Sequence, residues 1–529
     1  MNTKSPVDLS VVRVISDSFF VSVSRVAVLV LKPIKGIILG NLLGPSLYGI
    51  LNIPAPYILI AFVLSNVGFN TTVLNLMPRY LQERRPDLAR MIYRSSTFLA
   101  LALGTLWAAL LLAFAPWLAD QVAHEPAALN PLRLYALAIP FIVVNNLLAS
   151  SFLAMQRGKL GAAISFLYGV LTTALPIAAV LWRRDVTIII GGMLAAEVLG
   201  AALYTFSFHK KVLAGLGKAI GPLWRGVKET IRFGYLFFVA GLGWNLINSI
   251  DRLMIKYYMP ADQLGFYSMA AQVVIVLNVV TTTLGLALVP SLTAARNAGD
   301  AATLRRLIHN SARLAFVALM PLAMAIFTLA GDFFAVLLPR YGPSVVIVEV
   351  IIFAGFIDIF CRISWASLVA HERGGLSALA YISAAAWNAA SNWLLIPRFG
   401  IVGAGISLLS TFVILAALLL LMMKRVSGVI IDVKGAAHPL FLSLVYLLLG
   451  WLLRGLGPVP RLIIVFFSGS LLYVAMAFAT GLIRKKDLET ARRALAPRAA
   501  VPHVRLALAL LGAAEKAYAF FNSKRIAKP

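Results

Sequence analysis

The sequence predicts an all-α integral membrane protein. About fourteen transmembrane helices are expected, twelve in two parallel six-helix lobes related by a pseudo-twofold axis along the membrane normal, and two more at the C-terminal end. Three observations predict this. Of 529 residues, 61% are hydrophobic and 13% charged, with a mean hydropathy of +0.90. A water-soluble chain of that composition would expose large apolar patches and aggregate. Apolar segments of about 20 residues, the length that crosses a bilayer, recur along most of the chain. Finally, loop sequences of the first half return in the second at nearly constant spacing.

The first six segments run 16–40, 48–69, 93–115, 131–154, 160–182 and 187–208, and make a first lobe over 1–208. A basic linker follows at 209–233, with Lys210, Lys211, Lys218, Arg225, Lys228 and Arg232. The second lobe, 234–423, takes segments 234–256, 264–290, 311–337, 344–369, 376–397 and 401–423. Segments 437–455 and 461–483 complete the set. The tail, 484–529, is basic and amphipathic, and its run Leu506–Leu511 is too short to span. Two readings of it stay open: a helix lying on the inner leaflet with its cations on lipid phosphates, or a solvated basic extension.

The balance of 47 Lys and Arg against 20 Asp and Glu gives a net charge of +27. In a soluble protein this would suggest nucleic acid; here positive charge collects in cytoplasmic loops, and no nucleic-acid partner is expected. With the N-terminus placed inside, inner loops carry twenty Lys and Arg and outer loops seven. That asymmetry predicts that both termini are cytoplasmic and that the helix count is even; Arg183 and Arg184 run against it. The single Cys361 allows no intrachain disulfide, and no cleavable signal is evident in the opening residues.

The repeat has three matches. GPSLYG ends at Gly49 and PADQLG at Gly265, 216 residues on. AMQRGKL at 154–160 matches AHERGGL at 370–376, again 216 apart, and Pro78 falls over Pro290 at a spacing of 212. Six helices separate the matched loops, an even number, so the halves share one orientation. Parallel repeats of this kind place substrate sites between them near the bilayer midplane.

GNLLGPSLYGILN after the first helix, DRLMIKYYMPADQLGFYSMA in the seventh and eighth, and QRGKLGA after the fourth together resemble polysaccharide-exporting flippases of the Wzx type. These belong to the multidrug/oligosaccharidyl-lipid/polysaccharide (MOP) exporter superfamily. The resemblance covers roughly residues 10–425 and extends to two further C-terminal helices, as in fourteen-helix members. It implies movement of an undecaprenyl-pyrophosphate-linked oligosaccharide to the outer leaflet for surface polysaccharide such as O-antigen. Its partners would be that lipid-linked substrate, membrane lipids and polymerase or assembly proteins. A lipid II flippase, a multidrug antiporter and a non-transporting scaffold of a glycan assembly complex are the alternatives.

Such a substrate needs cations for its pyrophosphate and hydrogen-bonding groups for its glycan. Arg25, Lys32 and Lys35 fall on one strip of the first helix. Cations on a lipid face are costly, so the strip is expected to face a cavity; for the lysines, snorkelling to the headgroups is an equal reading. The seventh helix carries Asn245, Asn248, Asp251 and Arg252. The 216 spacing superposes Lys35 on Asp251 and Lys32 on Asn248, which suggests that Lys35 and Asp251 pair across the halves in one access state. The other reading of Asp251 is a local partner such as Arg252. Asn145 and Asn146, and Trp387, Asn388, Asn392 and Trp393, suit sugar rings or plain interhelical hydrogen bonds. Asp358 and Arg362, four apart, are expected to pair with each other, and Glu197 is a lone acid in the sixth segment. There is no phosphate-binding GxxxxGK[ST], no HExxH and no Cys/His cluster, so neither catalysis nor a cofactor is expected.

Overall fold

The computed structural model describes residues 31–155, 157–211 and 222–484, with residues 488, 489, 492 and 512. All regular structure among them is helical. The first helix, α1, occupies 31–52 and turns at Gly44, whose φ of +74° is open to glycine without steric cost. The second span is α2 (Pro54–Ser65) and α3 (Phe69–Gln82), broken at Gly68 with φ +86°. Next come α4 (Pro86–Trp117), then α5 (Leu129–Ala136) and α6 (Ile139–Ala154), which form one span bent by 42°. The first half ends with α7 (Gly158–Trp182) and α8 (Val186–Lys211).

The second half opens with α9 (Leu223–Tyr258), bent by 56° between Tyr235 and Phe237. It continues with α10 (Ala261–Asn297), α11 (Ala301–Leu337), α12 (Ser344–Ala370) and α13 (Gly374–Ser427). Helix α13 is two spans joined at Gly400, where φ is 59° and ψ −141°. The C-terminal pair is α14 (Ala437–Ser443) with α15 (Val445–Leu452), then α16 (Pro458–Ala479).

Among the described residues nine helices are long and apolar enough to span, or eleven when each bent pair is taken as one. Dividing Leu31–Gln82 after α1 and Gly374–Ser427 at Gly400, and adding the shorter Ala437–Leu452 pair, brings the number to fourteen, the count expected from the sequence. The observed helices overrun several expected ends. Helix α9 begins at Leu223 rather than 234, and α11 at Ala301 rather than 311. Polar residues extend a helix beyond the apolar core wherever water satisfies its exposed groups, so hydropathy alone ends it too early.

The chain forms two compact units, Met1–Ile275 with Glu372–Leu419, and Val276–His371 with Leu420–Pro529. In the first, Phe69, Met77, Ile92, Leu147, Phe152, Tyr204 and Phe208 build one continuous core across α3, α4, α6 and α8. Glycines let these backbones approach: Gly104 sits against Pro140, and Gly161 against Phe152. One such contact is reciprocal. A Cβ on Gly49 would strike the carbonyl oxygen of Ala261, and a Cβ on Gly265 that of Pro45. Positions 45 and 261, like 49 and 265, are 216 apart. Repeat-equivalent residues therefore touch each other main chain to main chain, as they do where a pseudo-twofold axis passes.

In the second unit α14, α15 and α16 pack on α11 around Met324, Leu329, Tyr446, Val465 and Tyr473. Polar staples fix them: Arg313 donates to the Leu482 carbonyl at 2.9 Å, Tyr473 to that of Val317 at 2.9 Å, and Arg461 lies 3.4 Å from Asp332. Asp358 pairs with Arg362 at 3.0 Å, as their spacing of four predicts, and also accepts from Thr281 at 2.6 Å.

Candidate functional site

Two polar clusters lie inside the first unit, and they occupy related places in the repeat. In each, the first helix of a half contributes a charge, and the fifth or sixth helix of that half supplies partners.

The first cluster is built on Glu197 of α8, only 8% exposed. Tyr168 of α7 donates its hydroxyl to both carboxylate oxygens, at 2.8 and 2.7 Å. The Asn145 amide of α6 donates to Oε2 at 2.9 Å and to the Glu197 carbonyl at 3.1 Å. Gly200, three residues beyond Glu197, leaves the space the Tyr168 ring fills; a Cβ there would lie 2.5 Å from the ring. Behind Tyr168, the hydroxyls of Ser165 and Tyr204 are 2.7 Å apart. Glu197 is the negative charge that acts on Lys32 and Lys35 of α1, and the lysines in turn repel each other. Lys32 has an accessible surface although protein surrounds it on most sides. Gly36, one residue on, packs against Gln272 and the Tyr48 hydroxyl, which holds this face of α1 inward.

The second cluster is built on Asp251 of α9, 3% exposed. Its Oδ2 accepts from Tyr267 of α10 at 2.6 Å. Its Oδ1 accepts from Asn388 at 3.0 Å and from Asn392 at 2.6 Å, two residues one turn apart on α13. Asn388 also reaches Thr411 at 3.2 Å, and Ser391 and Ser407 lie 2.6 Å apart beside it. The amide oxygens of Asn388 and Asn392 are buried without a hydrogen-bond partner. Hydrogen bonds from neutral donors offset part of the cost of burying the Asp251 carboxyl. With the two amide oxygens and the Thr411 hydroxyl, it is an oxygen-only set whose chemistry suits a hard cation or a proton. Among the described residues there is no group of three or more His, Cys, Asp and Glu able to hold a metal ion.

The structure brings together some of the residues singled out in the sequence and leaves others apart. Lys32, Lys35 and Asn145 join the first cluster, and Asp251 and Asn388 the second. Arg252 is half-buried and acts electrostatically on Asp251, Tyr48 and Tyr267. Asn245 and Asn248 donate to carbonyls of their own helix, Gly241 at 2.7 Å and Trp244 at 2.8 Å, and Asn146 likewise to Ile142 at 2.9 Å. Trp387 is 45% exposed, with its indole N–H on Ser410 at 3.0 Å. Arg25 lies outside the described residues. In this conformation Lys35 and Asp251 make no ion pair: the acceptor positions of Asp251 are taken by three donors of its own half, and the acid acting on Lys35 is Glu197. Sequence reasoning passed over Tyr168, Tyr267 and Thr411. Tyr267 stands in the Gly-Phe-Tyr that follows the PADQLG turn, the one signal that marked it.

Comparison with known proteins agrees with this architecture. Residues 14–295 match the family model described as polysaccharide biosynthesis protein. A putative O-antigen transporter of Shigella flexneri is 22% identical over 388 residues, 72% of this chain and 90% of that protein. Among solved structures, the lipid II flippase MurJ in an inward closed conformation superposes with a TM-score of 0.70 at 13% identity, covering 88% of this chain and 100% of that one. An inward-facing MATE family multidrug resistance transporter of the MOP superfamily gives 0.65 at 16% identity, covering 75% and 94%. The chain belongs to the polysaccharide biosynthesis protein family, and its multi-pass helical fold is that of the MOP superfamily.

Proposed function

We propose that the protein is a flippase that carries a polyprenyl-pyrophosphate-linked oligosaccharide across the bacterial inner membrane by alternating access. The observation that carries this reading is the buried Glu197 of α8, held by Tyr168 and Asn145, whose charge acts on Lys32 and Lys35 of α1. Resident cations at that depth are stable only if an anion answers them. Glu197 gives one negative charge to two lysines, so a positive charge is left over for a ligand. A pyrophosphate supplies more negative charge than one carboxylate and competes with Glu197 for both ammonium groups. Exchange of Glu197 for substrate would free α1 from α8, which couples loading to movement of the first helix. The indole of Trp387, held edge-on by Ser410 with its face exposed, is suited to stacking on a sugar ring. The kinship with an O-antigen transporter supports the glycan-bearing cargo, and the excess of basic residues in alternate loops supports cytoplasmic termini.

The experiment is deletion of the gene in its host followed by a leaflet-resolved assay of lipid-linked glycan. The substrate is expected to build up on the cytoplasmic face, and complementation by Lys32→Gln/Lys35→Gln to fail. An unchanged leaflet distribution overturns the reading. If lipid II rather than a glycan precursor accumulates, the cargo is the peptidoglycan intermediate.

A further inference from the structure

The opening of α9 is helical from Leu223 and joined to the rest of the helix by the 56° bend. One side of residues 223–235 is fastened to α3 and α4. Gly226, Val227, Thr230 and Gly234 are buried on that side. Gly226 lies on the Ser95 side chain and Gly234 on the backbone of Gly68. Ser95 donates to the Leu223 carbonyl at 3.2 Å, Thr72 to that of Thr230 at 3.2 Å, and Tyr80 to the Glu229 carboxylate.

Most of the rest of the helix is exposed and falls into two stripes; Phe233, 36% exposed, lies apart from both and stacks on Phe237. At about 100° per residue, Trp224, Ile231 and Tyr235 fall within about 40° of one another, and Arg225, Lys228 and Arg232 within about 60° beside them. Trp224 is 72% exposed. Going round the helix, the order is protein-facing side, aromatic and aliphatic stripe, then basic stripe. A helix lying in the membrane surface against a bundle needs that order: apolar edge toward the acyl chains, basic edge at the phosphates.

The basic stripe is not neutralised from nearby. Among the described residues, Arg225, Lys228 and Arg232 form no ion pair. Glu229, the only acid of the segment, is engaged by Tyr80 on the fastened side. On the neighbouring elements Glu83 pairs with Arg79 at 2.8 Å and Asp87 with Arg85 at 3.6 Å, while Arg84 and Arg94 add further exposed cations.

We propose that residues 224–235 are an in-plane binding site for anionic phospholipid headgroups. Arg225, Lys228 and Arg232 take the phosphates, and Trp224, Ile231 and Tyr235 sit in the acyl boundary. The leaflet is the one that faces the arginine-rich turn between α3 and α4. This segment is also the part of the covalent link between the halves that stands next to the seventh span, so bound lipid holds that link against the first half. The site stands independently of the cargo.

The test uses the full-length protein in vesicles of phosphatidylcholine alone or with phosphatidylglycerol, read by hydrogen exchange of residues 223–235. One basic residue near an anionic surface is worth roughly a fivefold preference, so three set a ceiling on the order of a hundredfold. Exchange is expected to slow on the order of tenfold with phosphatidylglycerol and to recover as salt is raised. Arg225→Gln/Lys228→Gln/Arg232→Gln should abolish the difference, and Arg225→Lys/Arg232→Lys should keep it. Unchanged exchange across 374–427 certifies that the variants are folded, and Trp224→Ala/Tyr235→Ala, which leaves the charges in place, offers a second probe that should weaken protection. Equal exchange in both vesicles overturns the proposal. So does equal protection by soluble inorganic pyrophosphate in phosphatidylcholine, which would make this a site for a free anion.

Discussion

At the residue scale, two carboxylates persist inside the membrane because donors replace water around them, and each gets its donors differently. Glu197 has one tyrosine hydroxyl shared between both oxygens and the Asn145 amide on one of them. A hydrogen bond to a charged group is worth about 1.5–3 kcal/mol, although membrane interiors often return less, about 0.6 kcal/mol on average. The single proton of the Tyr168 hydroxyl is shared between the two oxygens, so Tyr168→Phe is expected to cost one hydrogen bond to a carboxyl, on the order of 2 kcal/mol. Thermal unfolding in detergent measures it. Gly200→Ala should reproduce part of that loss, since its Cβ would displace the same ring; a fully stable Gly200→Ala would show that Tyr168 can move without consequence. Asp251 spreads its charge over Tyr267, Asn388 and Asn392, so removing one amide should be milder than removing the acid's whole surroundings. Asn392→Ala is expected to cost about 1 kcal/mol, and Asn388→Ala/Asn392→Ala more than the sum of the two single changes, because the last donor lost leaves a bare oxygen.

Much of this was legible in the sequence, for a physical reason. Asp251, Asn145, Asn388 and Lys35 stand out because polar residues inside apolar runs must have partners. Tyr168 and Tyr267 do not stand out: a tyrosine is at home in a membrane helix whether or not its hydroxyl is used. The partner of Lys35 was not legible either. Superposing the repeat finds residues at equivalent depth, and equivalent depth does not make two side chains touch; Glu197 has Val413 as its repeat counterpart, so the symmetry gave no hint of it.

At the scale of elements, the sequence placed each spanning run but not the character of the joints. Helix α13 passes through Gly400 at φ 59° and ψ −141°, a conformation closed to side chains, with Met259 against the empty side. Gly400→Ala is expected to destabilise by about 1–3 kcal/mol, seen as a lower unfolding temperature. The start of α11 is held by Asp300, whose carboxylate accepts from the Thr303 N–H at 2.8 Å. The bonds to Thr303 hold its pKa below the ordinary carboxylate value. A lowered folded-state pKa means that the cap's contribution is complete above the ordinary carboxylate range and is lost as pH falls through the lowered value. Exchange of the amides at 302–304 should therefore quicken, beyond its intrinsic pH dependence, only at acid pH. Asp300→Asn should remove that transition.

At the scale of the molecule, residues 216 apart meet main chain to main chain. Gly49→Ala and Gly265→Ala should each lower thermal stability, and by similar amounts, because each Cβ strikes the partner's carbonyl. Gly331→Ala, on a helix with nothing within 4 Å, is the control and should stabilise by up to about 1 kcal/mol. Equal behaviour of all three would mean that the backbones at the axis are not in firm contact.

That contact also bears on how such a protein diversifies. It is main chain against main chain, so it contains no side chain whose size or charge a new cargo would need altered. Substitutions in the polar clusters, at Lys32 or Asn145 for example, therefore leave this contact as it is. Change in the polar clusters and constancy where the backbones meet are thus compatible within one chain.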